Sequence, residues 1–142
     1  MTKEEARDVF EQYLFEMDDV LDELYADVTT RVGKLDRSRS SLGTLEKYLD
    51  IVADDASSRE IAVNRAARHL GEVFRMSVGG RWDIDLDNER SLHYGLPVVT
   101  GYSSSRISFC PIEIVRNYLN TGRSGLLDRA VESHLSHADL LP

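Results

Sequence analysis

The chain has 142 residues, 42% hydrophobic and 30% charged, and its 25 acids against 17 Lys and Arg give a formal net charge of −8. A chain of this size buries enough apolar surface to fold without disulfides or metals, which excludes a disordered chain and a disulfide scaffold; with Cys110 as its only cysteine, no intrachain disulfide can form. No apolar run approaches the roughly 18 residues of a membrane-spanning helix, and charge from Lys3 onward leaves no apolar stretch of a secretory signal, so the expectation is one cytoplasmic domain over 1–142.

The first segment reads as a long amphipathic helix over 3–32. Phe10, Leu14, Met17, Leu21, Leu24 and Val28 recur at alternating steps of four and three, and Val9, Tyr13, Val20 and Tyr25 widen the stripe. Such a wide stripe fits a globular core, yet its heptad-like seam leaves self-association as a homodimer, or docking to another protein, open. Gly33 and the polar run to Ser41 predict a hinge at about 33–41 from which the helix either packs down or projects. Over Met1–Val32 there are ten acids against three bases, so seven of the eight net negative charges lie in this segment. That field repels nucleic acid and speeds encounter with a basic protein surface.

A second helix is predicted from about Leu42 to Ala53. A third opens at a Ser57/Glu60 capping box, carries Ile61, Ala66, Ala67, Leu70, Val73 and Phe74 on one side, and stops at Gly79-Gly80. Gly71 inside it predicts the close approach of another backbone. Thereafter the period changes to two: Trp82, Ile84 and Leu86 alternate with Asp83, Asp85 and Asp87, a half-buried strand with an acidic outer face. Strand-like pieces at about 92–94, 98–102 and 106–109 complete a small antiparallel sheet or meander. Pro111 opens a helix that Gly122 closes, and Ser124 is placed to cap a last one carrying Leu127, Val131 and Leu135. The fold class is therefore α+β: the long N-terminal helix plus two helices, a small antiparallel sheet, then two C-terminal helices.

Constellations with chemistry are sparse. Asp83, Asp85 and Asp87 have the spacing of the first ligands of a calcium loop, but Asn88 and Tyr94 stand where that loop needs glycine and a bidentate glutamate. His134 and His137 lie three apart without a third ligand nearby. Cys110, just before a helix start, is placed where the helix dipole lowers a thiol pKa, and His69 is the histidine to weigh as a general base. No phosphate-cradling loop or nucleophile turn occurs, so neither a catalytic site, a cofactor nor a metal is predicted.

His69-Leu70-Gly71-Glu72-Val73, then Gly79-Gly80-Arg81-Trp82, then Pro111 and a helix ending at Gly122, form a pattern over about 67–127 that resembles small uncharacterised bacterial α+β proteins, some of them similar to immunity proteins of polymorphic toxin systems. The resemblance implies a non-enzymatic inhibitor and supplies no catalytic motif. With the acidic first helix it gives the leading expectation, an immunity protein steered electrostatically onto a basic toxin and occluding its active site. The partner-binding candidates are Asp18, Asp19, Asp22, Glu23 and Asp27 on the first helix, then Asp83, Asp85 and Asp87 on the strand. A general adaptor or phage-type inhibitor working through the N-terminal helix, and an enzyme with an unrecognised site, are the alternatives.

Overall fold

The computed structural model of the chain describes residues 1–138. Six helices and two strands follow in the order α1 (Lys3–Phe15), α2 (Met17–Arg31), α3 (Ser41–Val52), α4 (Ala56–Ser77), β1 (Arg81–Ile84), β2 (Pro97–Thr100), α5 (Pro111–Thr121) and α6 (Leu126–Leu135). The fold is α+β. α4 runs through the middle, with α2, α3 and α5 packed around it and the sheet against one end.

The expected single helix over 3–32 is two. Thr2 and Glu5 form a capping box at the start of α1, and the helical path breaks at Glu16, whose backbone sits at φ −85°, ψ 0°. The reason lies in what each half covers. Ala6 and Phe10 of α1 pack with Ile84 and Leu86 beside the sheet, whereas Met17, Leu21, Leu24 and Val28 of α2 enter the main core with α3 and α4. One straight rod cannot lay both stripes on these two surfaces. The break is held from α4 by Arg68, whose guanidinium is 2% exposed, donates from Nη2 to the Tyr13 carbonyl at 3.1 Å and lies 3.9 Å over the Tyr13 ring. The predicted hinge is likewise tied down: Leu35 is buried, Arg39 bonds Asp128 and Glu132 at 2.8 and 2.6 Å, and Arg37 reaches Glu72 at 3.7 Å.

Three local expectations are corrected. α4 is capped by Asp55, which accepts from the Ser58 N–H at 2.9 Å, so the helix begins one residue before the predicted Ser57 cap. α6 has no side-chain cap of its own from Ser124; the Glu46 carboxylate, brought in by α3, accepts from the Gly125 and Leu127 N–H groups at 2.8 and 3.1 Å. At Gly71 the neighbour is the Trp82 indole and not a backbone, since a Cβ there would stand 2.2 Å from the ring.

The sheet is smaller than the pattern suggested. β1 pairs antiparallel with β2, Arg81 opposite Thr100 through Ile84 opposite Pro97. The other strand-like pieces contribute only single bridges, Asp85 with Tyr94 and Val99 with Phe109. Gly80, at φ +96°, sits where a side chain would meet the Thr100 carbonyl at 2.7 Å, which fits glycine at the entry to β1. Pro111 at the start of α5 and left-handed Gly122 at its end are as the sequence predicts. Val99, Phe109, Val115, Tyr118, Leu127 and Val131 join the α2–α4 residues in one core.

Candidate functional site

With Met17, Leu21, Leu24 and Val28 facing inward, the helical period turns Asp18, Asp19, Asp22 and Glu23 out to solvent, and all four are exposed. Asp18 and Asp19 lie in the first turn of α2, where the helix dipole favours negative charge. The carboxylates of Asp18, Asp19 and Asp22 make no ion pair or hydrogen bond among the described residues, and Glu23 meets Arg65 of α4 at 3.3 Å. Asp27 behaves differently. It accepts from the Tyr48 hydroxyl and from Arg31 Nε at 3.0 Å, and these bonds, Tyr48 foremost, hold its carboxyl below the usual range. Asp27 is thus a tie between α2 and α3, with little left to offer a partner.

Asp83, Asp85 and Asp87 occupy another part of the molecule. They line an open hollow of about 560 Å³ whose far wall is the Ser103–Ser105 run, and Arg81 and Arg106 line it with them. Two arginines thus line the hollow together with the three aspartates, with no ion pair between them among the described residues. β1 packs on β2 and α1, whereas α2 packs on α3 and α4.

The structure also supplies a residue the sequence reading passed over. Phe15, the last residue of α1, is 82% exposed and Leu14 beside it 37%. Phe15 belongs to no step of the apolar seam and stands among the acids of the outer face. An aromatic ring on the polar side of an amphipathic helix was the available signal.

The groups weighed for catalysis are enclosed. Cys110 is 3% exposed, and burial pushes its thiol up to about 11, overriding the helix start behind it. His69 is fully buried between Ser41 Oγ, 3.1 Å from Nε2, and Tyr25 OH, 3.2 Å from Nδ1. The Ser41 hydroxyl donates its one proton to the Ser38 carbonyl at 2.7 Å, so Nε2–H must donate to Ser41, and Nδ1 accepts from Tyr25. That polarity is the reverse of a base poised to take a serine proton. Burial accordingly lowers the imidazole to about 4. His134 Nδ1 and the Tyr102 hydroxyl share a hydrogen bond at 2.9 Å, and the His134 ring sits among those of Phe74 and Phe109, while His137 is exposed. Among the described residues no three His, Cys, Asp or Glu side chains converge as a metal site would require.

No family model matches the chain, and neither a curated protein nor a solved structure shows significant similarity to it. No helix among the described residues is long and apolar enough to cross a membrane.

Proposed function

We propose that this chain is a non-enzymatic acidic domain that binds the basic surface of another protein, and that it serves as an immunity protein which neutralises a cognate bacterial toxin by covering its active site. The observation that carries the reading is the outward face of α2: Asp18, Asp19 and Asp22 stand exposed, without a hydrogen bond or close ion pair and with Arg37 acting on Asp18 only at longer range, on a helix whose opposite face is fixed in the core. Carboxylates held this way cost no rearrangement on binding and create a field that steers a cationic partner. A cleft evolved to hold nucleic-acid phosphates is one such cationic surface, and a helix presenting a row of carboxylates competes for it on the same electrostatic terms. The inward seam is occupied by the protein's own core, so the N-terminal helices offer their outer face and not their apolar stripe.

The test is capture with the purified chain as bait in a lysate of its source organism, at low and at high salt, read by mass spectrometry. One stoichiometric basic partner, weakened but retained at high salt, is the expected result. Reversing the face with Asp18→Lys, Asp19→Lys and Asp22→Lys slows association by about tenfold or more at low salt, with an unchanged thermal melt. An acidic or neutral partner, or association rates indifferent to the three reversals, defeats the reading; a basic partner with no inhibited activity defeats its toxin-neutralising form.

A further inference from the structure

We propose that this face docks through a single aromatic anchor, Phe15, which seats in an apolar pocket of the basic partner while the carboxylates around it meet a Lys and Arg rim. The inference rests on the protein-binding reading above and adds the residue that holds the complex together once charge has brought it in.

Single exposed apolar residues are ordinary on protein surfaces, and Phe15 is distinguished by its surroundings. Glu11 and Phe15 lie away from the buried Ala6, Phe10 and Tyr13 of α1, Asp18, Asp19 and Asp22 lie away from the buried Met17, Leu21, Leu24 and Val28 of α2, and all five are exposed. The exposed ring is thus flanked along the chain by exposed carboxylates on both sides, an arrangement in which an aromatic centre and a charged rim divide the work of binding between dissociation and encounter. Its position is also fixed. Phe15 is the residue before the break at Glu16, and Arg68 grips that break from beneath through the Tyr13 carbonyl and ring, 4.0 Å from the Glu16 carboxylate. A corner held from the core presents its side chain with little backbone freedom left to lose on docking.

Charge selects the occupant. A second copy of this chain would bring one acidic stripe against another, and nucleic acid is repelled by the same carboxylates. What fits is a protein with an apolar pocket bordered by cations.

The experiment uses the full chain with the photo-crosslinking residue p-benzoylphenylalanine at position 15, and at position 61 as a control, because Ile61 is also exposed but lies on α4. Both are irradiated in the lysate used for capture, and the captured protein is then purified for binding kinetics with the unmodified chain and its variants. The expected result is an adduct with one basic protein from position 15 and none from position 61, and about 30-fold or more weaker binding by Phe15→Ser through faster dissociation, with association rate and melting temperature unchanged. If the three charge reversals weaken binding while Phe15→Ser binds as the unmodified chain does, the anchor is wrong and the acidic-face reading survives. A missing adduct at position 15 despite capture of the partner also removes the anchor alone. An adduct confined to position 61, with both kinds of variant binding normally, overturns both readings, and an adduct between two copies of this chain overturns the anchor in favour of self-association.

Discussion

The imidazole of His69 shows how a single side chain can set the acid tolerance of this molecule. Its Nδ1 accepts from Tyr25 and its Nε2–H donates to Ser41, so the neutral ring joins α2, α4 and the start of α3, and burial holds its pKa at about 4. The unfolded chain takes up this proton near the ordinary value of about 6.5, so the unfolded state binds the extra proton between roughly pH 6.5 and 4. The stability this ring contributes is complete above that window and falls as the pH is lowered through it, by roughly 3 kcal/mol at the bottom. His134, also lowered by burial, adds in the same direction. Urea unfolding between pH 7 and 4 should show this slope, and His69→Gln should remove most of it; an unchanged slope in the variant would mean that another group titrates. None of this was visible in the sequence. His69 could be seen to lie on a helix, but the partners that fix its tautomer come from positions 25 and 41, and no local pattern links them.

At the scale of the element, the helices were the most legible feature because their causes are local: the apolar period, Pro111 at a start, Gly122 and Gly79-Gly80 at ends. Where a boundary depended on a distant group, the reading failed. The start of α6 is satisfied by Glu46, 79 and 81 residues away from the two N–H groups it accepts. The break between α1 and α2 is held by Arg68, 55 residues from the carbonyl it engages. The Glu46 contact carries its own prediction. Glu46→Ala leaves the buried Leu127 N–H and the half-buried Gly125 N–H without this acceptor and should cost about 1–3 kcal/mol, read as a lowered midpoint in thermal or urea unfolding. A loss of only a few tenths would mean that water replaces the carboxylate. The sheet was over-read for a related reason: period-two segments at 92–94 and 106–109 have the residue types of strands, but only β1 and β2 find a continuous partner, and the rest are fastened at one residue each.

For the whole molecule, the location of charge was legible and its availability was not. Counting residues placed the negative excess in the first segment, and helical phase pointed Asp18, Asp19, Asp22 and Glu23 outward, as the structure has them. Asp27 lies on the same helix but is engaged by Tyr48, and the Asp83, Asp85 and Asp87 row shares its hollow with Arg81 and Arg106. Those neighbours arrive by folding and have no signature in the local sequence. The division of the apolar interior has a consequence in time. α1 rests through Ala6 and Phe10 on a small cluster with Ile84 and Leu86, set apart from the core that α2 and α4 share, and only its Tyr13 end reaches that core. A helix fastened by few apolar contacts opens at lower free energy than the body beneath it. The backbone amides of Val9 to Gln12 should therefore exchange with deuterium well before those of Ala66 to Val73, through an excursion that leaves the rest of the molecule folded. Equal protection in the two stretches would mean that α1 leaves only when everything unfolds.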